Sequence, residues 1–398
     1  MQANISTSDA IAVEGKAGWG GVFALALGAF ALVASEFMPV SLLTSIANDL
    51  RVSEGQAGQA IAVSGAFALV TSLAISTLAG NIDRKVLLVA LTMLMIVSGT
   101  IAAFAPNYTV FMIGRAFIGV AIGGFWSMSA ATAMRLVPRD QVPKAMAIVN
   151  GGNALATVVA APLGSFLGAI IGWRGAFFCL VPVAAMALAW KMISLPSMPA
   201  RSTQGKRKVF GLLKSPPVLL GMLAVSLFFL GQFALFTYLR PFLETVTHAN
   251  AMTTSWMLLA IGGAGFIGTV FIGALVKDHL YRTLIAIPLA MAAIAIALIA
   301  FGSSTALTAV LLAAWGLLGT SAPVGWWSWL ARTLPDDAEA GGGLMVAVVQ
   351  LAIAAGAALG GVLFDGYGYQ ATFGMSAVVL LVAAALAVAA ARAARREH

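Results

Sequence analysis

Twelve long apolar stretches, six on each side of one basic segment, limit what this chain can fold into more than any other feature. A helix needs about 20 apolar residues to cross the hydrocarbon core of a bilayer. Because the backbone must satisfy its own hydrogen bonds in lipid, such stretches form helices. We therefore predict an all-α membrane protein with twelve transmembrane helices in two pseudo-symmetric six-helix bundles. The predicted spans are Trp19–Leu43, Ala57–Ala79, Val86–Ala105, Tyr108–Met134, Lys144–Ile171, Gly175–Leu195, Pro217–Leu239, Thr254–Val276, Thr283–Gly302, Ala306–Leu330, Gly341–Phe364 and Ala371–Ala391.

The composition excludes a soluble protein. Of the 398 residues, 61% are hydrophobic and only 9% are charged, whereas a soluble domain carries about 25% charged residues. Residues 1–18 lack the short basic start and the cleavage site of a secretory signal, so we expect an uncleaved tail. The predicted order is a tail at 1–18, a first bundle at 19–195, a basic linker at 196–216, a second bundle at 217–391 and a tail at 392–398.

The positive residues predict the orientation. Of the 22 Lys and Arg residues, all but four would lie on the side that holds the two termini and the linker. Arg51, Arg174 and Arg240 fall on the other side, and Arg115 lies within a span. Since cytoplasmic loops are enriched in Lys and Arg, we predict that both termini are cytoplasmic.

The two halves repeat one another. Gly124-Phe-Trp-Ser-Met in span 4 corresponds to Gly325-Trp-Trp-Ser-Trp in span 10, and Leu163-Gly164 in span 5 corresponds to Leu359-Gly360 in span 11. Parallel repeats of six helices place a substrate site between the halves near the membrane midplane, where rocking of the halves gives alternating access. This architecture points to transport.

Several segments carry a family resemblance. They are Ser35-Glu-Phe-Met-Pro-Val-Ser, Ile113-Gly-Arg-Ala-Phe-Ile-Gly, Gly123-Gly-Phe-Trp-Ser-Met-Ser and Ala161-Pro-Leu-Gly-Ser-Phe-Leu-Gly. With these segments the chain resembles the major facilitator superfamily, in its drug:proton antiporter branch, and is most similar there to exporters of purine ribonucleosides. The resemblance implies proton-coupled export of purine ribonucleosides or related small molecules across the bacterial inner membrane. Sugar exporters share part of the pattern, so a broad-specificity drug or sugar antiporter is the alternative.

The resemblance also implies three conformational-motif residues: Asp83, Arg84 and Pro162. Asp83 and Arg84 belong to the motif that follows span 2, where they would form a latch near a helix end; a solvated loop is the alternative for them. Pro162 belongs to the antiporter motif of span 5. Departures from the family pattern stand at Ala79, Ile118, Ala161 and Ser165.

Glu36 is the most informative single residue, because it is the only acid well inside a predicted span. An ionised acid in the membrane core costs at least about 2.5–3.5 kcal/mol, so such residues usually have a function or a partner. Glu36 lies seven residues before the end of span 1 and Arg115 seven residues after the start of span 4, at the same depth. We hypothesise that Arg115 favours the ionised form of Glu36 in one state and releases it in another. A static ion pair is the alternative.

Amides and tryptophans in apolar spans are candidates for substrate contacts, because amides both donate and accept hydrogen bonds and aromatic faces stack on bases. The proposed substrate-binding residues are Trp126, Asn150, Asn153, Gln232, Trp326 and Gln350, with Phe37, Ser127, Tyr238 and Arg240 as weaker candidates. Trp126 and Trp326 hold matching repeat positions and could face one another across a cavity. Interhelical hydrogen bonds, packing and interfacial anchoring are the alternatives for these residues.

The sequence offers no chemistry for an enzyme. It has no nucleophile and base arrangement, no metal-ligand spacing and no phosphate-binding Gly-x-x-x-x-Gly-Lys-Ser/Thr segment. We expect a monomer without cofactor or metal, whose partners are its small-molecule substrate, protons and the lipid bilayer, and not nucleic acid. A passive facilitator or channel and a membrane enzyme remain as further alternatives.

Overall fold

The computed structural model describes residues 18–78, 82–138, 141–199, 209–334 and 338–397, and these residues are nearly all helical. A short 3-10 helix at Val209–Lys214 precedes α7, and the described part of the chain contains no β-strand. The helices are α1 (Trp19–Leu50), α2 (Glu54–Leu78), α3 (Arg84–Ala103), α4 (Tyr108–Leu136), α5 (Val142–Phe178), α6 (Leu180–Ser194), α7 (Pro216–Thr237), α8 (Leu239–Thr245), α9 (Ala251–Phe301), α10 (Thr305–Thr333), α11 (Ala338–Tyr367) and α12 (Tyr369–Glu397).

Two of these helices are interrupted by a residue with non-helical backbone angles. Gly172 interrupts α5 with φ 74° and ψ 166°, and His279 interrupts α9 with φ −132° and ψ 40°. Eleven described stretches are long and apolar enough to cross a membrane, but one of them, Lys144–Ser194, has 51 residues. A straight helix of that length would measure about 75 Å, more than twice a hydrocarbon core of about 30 Å. Divided at Gly172, the stretch gives two spans, which makes twelve and confirms the predicted fold class.

The helices extend beyond the spans that apolarity alone predicts. α1 continues to Leu50, seven residues past its predicted end, and stops where Arg51 adopts a left-handed conformation with φ 54°. α12 continues through the alanine-rich end to Glu397, so described residues of the predicted tail at 392–398 are helical. A helix need not end where the hydrocarbon does, because alanine and arginine keep a high helix propensity in polar surroundings. Most of the predicted N-terminal tail and residues 200–208 of the predicted linker lie outside the described residues.

Within each half, glycines let neighbouring helices approach to backbone contact. Gly119 of α4 lies against the Ser64 carbonyl of α2, and Gly316 of α10 lies against the Ile261 carbonyl of α9. A Cβ atom at either glycine would overlap that carbonyl oxygen. Small residues at helix crossings are how membrane helices gain packing energy where lipid provides no hydrophobic drive.

The contacts between the halves that the glycines mark lie towards one side of the membrane. We name the side where α6 ends and α7 begins the linker face, and the side of the α1–α2 turn the opposite face. From the opposite face to mid-membrane, α2 contacts α11, with Gly65 against Ala354, and α5 contacts α9, with Gly262 against Val158. Two turns nearer the linker face, a Cβ at Gly151 of α5 would meet no atom within 4 Å. In the described residues, these helix contacts therefore close the halves together at the opposite face and leave α5 uncovered at Gly151.

Candidate functional site

Glu36 lies in the middle of α1, at the level where the two halves separate. Its side chain is only 5% exposed. One carboxylate oxygen is 3.5 Å from the Nε2 of Gln350 in α11, which is itself 9% exposed. The acid of the first half thus contacts an amide of the second half. This distance is the outer limit of a hydrogen bond, so the contact is weak enough to be exchanged.

Arg115 of α4 is 1% exposed and all its described hydrogen bonds go to neighbouring helices of its own half. These bonds run from Nε to the Ala60 carbonyl (3.1 Å), from Nη1 to the Ser35 carbonyl (2.8 Å), and from Nη2 to the Glu36 carbonyl (2.9 Å) and the Ser64 hydroxyl (3.1 Å). The structure therefore brings Arg115 and Glu36 together, as the equal depths predict. It joins them through the backbone of Glu36, however, and the carboxylate turns to Gln350.

Pro39 explains why the guanidinium reaches the backbone of α1. A proline in a helix has no N–H to donate to the carbonyl four residues earlier, which here belongs to Ser35. Arg115 donates to that carbonyl at 2.8 Å, so a polar group that would be unpaired in the membrane interior gains a charged donor. Arg115 is therefore held beside Glu36 by its hydrogen bond to the carbonyl that Pro39 leaves without a helical donor.

Lys191 is a second buried cation that the sequence did not reveal. It is 1% exposed, and its Nζ donates to the Thr92 hydroxyl at 2.8 Å and lies 5.1 Å from the ring centroid of Phe125. No carboxylate in the described parts of the chain comes within ion-pair distance of it. From its position alone, Lys191 is expected at the linker side with the other cations there, because it stands four residues before the predicted end of span 6. Only the rotational phase of α6 shows that it points inward.

The remaining amide candidates lie at different places. Gln232 of α7 turns towards Gly319 of α10, and its buried Oε1 has no hydrogen-bond partner among the described residues. Asn150 is exposed and Asn153 is half-buried in α5, on either side of the open position at Gly151. Gln350 alone of the four contacts another candidate residue, Glu36.

The tryptophan candidates are not brought together. Trp126 is half-buried and packs edge to face against Phe125, with ring centroids 5.4 Å apart. Trp326 is buried and packs edge to face against Trp329 at 5.9 Å. Each pair stays within its own half, and no aromatic contact joins Trp126 to Trp326 in the described residues. That the two rings face one another across a cavity stays a prediction.

The weaker candidates Tyr238 and Arg240 belong to the closure at the opposite face. The Tyr238 hydroxyl donates to the Ala357 carbonyl at 2.8 Å, and Arg240 bonds to the Ser41 carbonyl of the other half and to Glu244. Asp365 of α11 completes this closure, since it accepts hydrogen bonds from the Gly55 N–H at 2.8 Å and from the Ser53 hydroxyl. A carboxylate of the second half thus caps the N-terminus of α2 in the first.

Asp83 and Arg84 lie at the linker face, at the start of α3. Asp83 caps that helix through the Lys85 N–H at 2.7 Å, and it also accepts from the Ser197 hydroxyl and the Met198 N–H. The hydrogen bond from Ser197, together with those from the backbone, holds the pKa of Asp83 below its usual range. These contacts tie α3 to the segment after α6. Ala79, Gly80 and Asn81 of the same motif lie outside the described residues.

Pro162, the third motif residue, is buried within α5. Its missing N–H leaves the carbonyl of Val158 without a helical donor. Val158 is the residue that Gly262 of α9 approaches at the contact between the halves. The proline defect therefore lies on the helix turn where the first half meets the second.

The family is decided by comparison with known proteins. The model of the Major Facilitator Superfamily matches residues 25–346. The chain belongs to this superfamily. Membership makes it a multi-pass membrane transporter, as the sequence predicted.

Two superfamily relatives cover almost the whole chain. The "Transcription regulatory protein OpdE" of Pseudomonas aeruginosa is 63% identical, with 95% of each chain aligned. The "Purine ribonucleoside efflux pump NepI" of Salmonella enteritidis is 39% identical, with 98% of each chain aligned. The second relative agrees with the resemblance found in the sequence motifs.

Solved superfamily structures show the same fold. The D-xylose-proton symporter superposes with a TM-score of 0.75 at 15% identity, covering 94% of this chain and 97% of that one. A bacterial homologue of the human lysosomal transporter Spinster, in an inward-facing and unoccupied conformation, gives a TM-score of 0.71 at 15% identity with the same coverage.

Proposed function

We propose that the protein is a proton-coupled antiporter that exports purine ribonucleosides, or closely related small molecules, across the bacterial inner membrane. The observation that carries the proposal is the contact between the Glu36 carboxylate and the Gln350 amide. It places a proton-binding group of one half against a hydrogen-bonding group of the other, at the level where the halves part. Proton binding and movement of the halves can then act on the same contact.

The coupling follows from the surroundings of Glu36. The Arg115 guanidinium, fixed on the adjacent backbone, favours the carboxylate, and burial favours the neutral acid. When water from the linker face or the opposite face reaches the acid, this balance changes. The ionised carboxylate can accept a hydrogen bond from the substrate, and protonation removes that charged acceptor. Proton and substrate would therefore exclude one another at Glu36, as exchange requires.

The orientation that we propose agrees with export. Because most Lys and Arg residues lie on the side of the linker, we place the linker face and both termini in the cytoplasm. The uncovered position at Gly151 then faces the cytoplasm, from which an exporter takes its substrate. We propose that the substrate enters there and contacts Trp126, Asn150, Asn153, Gln232, Trp326 and Gln350.

The test is uptake of labelled inosine by everted inner-membrane vesicles that contain the full chain. With an acidic lumen, an exporter that exchanges protons accumulates inosine, and a protonophore abolishes the accumulation. Vesicles without the protein are the control. Equal inosine uptake with and without the gradient would contradict the proposal. If only a sugar or a lipophilic cation accumulates in the same assay, the broad-specificity alternative replaces the nucleoside.

The relative named as a transcription regulator suggests a second role, because it is 63% identical to this chain. We infer that any such effect on transcription is indirect, through the concentration of the transported solute. Cells that produce the Glu36→Gln variant would then lose the transcriptional effect together with transport. A transcriptional effect that survives this substitution would require a direct role.

A further inference from the structure

The two halves are joined at mid-membrane by an aromatic stack. The rings of Phe37 in α1 and Phe233 in α7 lie 5.4 Å apart between centroids, with an interplanar angle of 28°. Phe229 continues the stack on the side of the second half, 6.4 Å from Phe233 with an angle of 19°. Phe236 closes it edge to face at 6.0 Å. Offset, near-parallel rings are a favourable aromatic geometry.

The stack joins α1, the first helix of one half, to α7, the first helix of the other. The substrate site of a two-repeat transporter is expected between the repeats near mid-membrane.

Phe37 has a free face towards the space between the halves. From Ala31 to Leu43 every residue of α1 is buried except Phe37, which is half-buried. α1 packs against α5, α6, α2 and α4 of its own half and against α8 of the other. Exposure at this one position of an enclosed helix is therefore exposure to the internal space, not to lipid.

Polar side chains lie beside the stack, and they can form hydrogen bonds to the edge of a flat ligand. Glu36 precedes Phe37, and Gln350 reaches the Glu36 carboxylate across the halves at 3.5 Å. Between them the two side chains can accept from and donate to a heterocycle edge. The buried Oε1 of Gln232, which precedes Phe233, has no partner in the described residues.

We propose that the Phe37–Phe233 stack and the Glu36–Gln350 contact together form the subsite for the base of a nucleoside. The flat base stacks on the ring of Phe37 and its edge bonds to the amide of Gln350. This inference rests on the proposed function, and it names the part of the substrate that each half recognises. Since the two rings belong to different halves, base stacking on Phe37 replaces the ring–ring contact that holds the halves together.

The experiment measures the KM and kcat of inosine transport for Phe37→Leu and Phe37→Tyr in proteoliposomes of the full chain. Leu keeps apolar bulk but removes the ring, so KM is expected to rise roughly 5- to 150-fold, the ratio that stacking of one base supplies. Tyr keeps the ring and is expected to stay within about twofold of wild type, as one rotatable hydroxyl changes stacking little. Phe30→Leu, seven residues away on the same face of α1, is the matched control and leaves KM unchanged.

The outcomes separate the subsite from the transport function. If wild type transports inosine and Phe37→Leu leaves its KM unchanged, the subsite is wrong and the function stands. If Phe37→Leu and Phe37→Tyr lower kcat equally at constant KM, the ring is part of the closure only, which also overturns the subsite. If wild type does not transport inosine, the proposed function fails. Binding of ethidium, a flat aromatic cation, to wild type and Phe37→Leu then decides whether the rings bind flat ligands.

A folding defect is checked by gel filtration and thermal unfolding of each variant. Should Phe37→Leu fail to fold, Phe233→Leu takes its place, with Phe228→Leu as its control because Phe228 is fully buried in the second half. Equal inosine KM for Phe233→Leu and Phe228→Leu would overturn the subsite.

Discussion

The two halves share one fold but bury different chemistry. The first half buries three charged side chains within its spans: Glu36, Arg115 and Lys191. The described part of the second half has amides at the corresponding depth, Gln232 and Gln350, and its one buried arginine, Arg240, lies at the opposite face. Both halves pack through similar glycine contacts. A six-helix bundle of this fold can therefore form without ionised groups at mid-membrane, as the described part of the second half does.

Burying a charge in a membrane costs several kcal/mol, so its restriction to one half indicates a division of labour. In our proposal the first half binds the proton, and the second half supplies the neutral amide of Gln350, which contacts the acid and the substrate.

Removing the acid gives the largest expected effect. Glu36→Gln replaces the acid of the first half by its neutral amide analogue, and it leaves no group there to exchange a proton. We expect gradient-driven inosine accumulation to fall to the level of vesicles without protein, while exchange of labelled for unlabelled inosine continues. Asp278→Asn, at an exposed acid of the linker face, is the control and retains accumulation. Gradient-driven accumulation by Glu36→Gln would show that the first half does not bind the coupling proton there.

The second-largest expected effect is a loss in the free energy of unfolding when Arg115 is replaced. Arg115→Met removes the donor to three backbone carbonyls and to Ser64, and leaves the Ser35 carbonyl beside Pro39 unpaired. We expect a loss of roughly 3–5 kcal/mol, as for breaking a buried charged network, measured as thermal unfolding in detergent. Arg282→Met, at an exposed arginine of the second half, should change stability by less than about 0.5 kcal/mol. A similar small change for Arg115→Met would mean that this cation is dispensable to the fold.

A smaller effect is expected at the closure between the halves. Asp365→Ala removes the cap that the second half places on α2, and a lost N-cap costs about 1 kcal/mol. The population open at the opposite face should rise about fivefold. The measurement is the rate at which a membrane-impermeant thiol reagent labels Ala62→Cys, in a Cys179→Ser background. The same labelling rate for Asp365→Ala and for the control Asp278→Ala would exclude Asp365 from the closure.

The sequence predicted the architecture and the depth of the charged pair, but not the contacts. The number of spans and the repeat follow from the lengths and motifs of the apolar stretches. The nearness of Glu36 to Arg115 follows from their positions within their spans. The sequence shows both directly. The partner of the Glu36 carboxylate does not follow, because Gln350 reaches it only through the docking of the two halves. Pro39 and Arg115 are both visible in the sequence. Their connection through Ser35 needs the rotational phase of α1 and α4.

The burial of Lys191 also depends on a helix rotation that the sequence does not show. Its substitution has the smallest expected effect. Its ammonium has one hydroxyl partner and one aromatic face in the described structure, which leaves most of the cost of burial uncompensated. Exchange of such a cation for an apolar group of similar volume is often neutral or stabilising. We therefore expect Lys191→Met to unfold at the same temperature as wild type or a higher one, and to keep gradient-driven transport. Lys191→Ala, which leaves a void beside Thr92, should unfold at a lower temperature. Loss of coupled transport in Lys191→Met, with stability intact, would make Lys191 a second functional charge and strengthen the contrast between the halves.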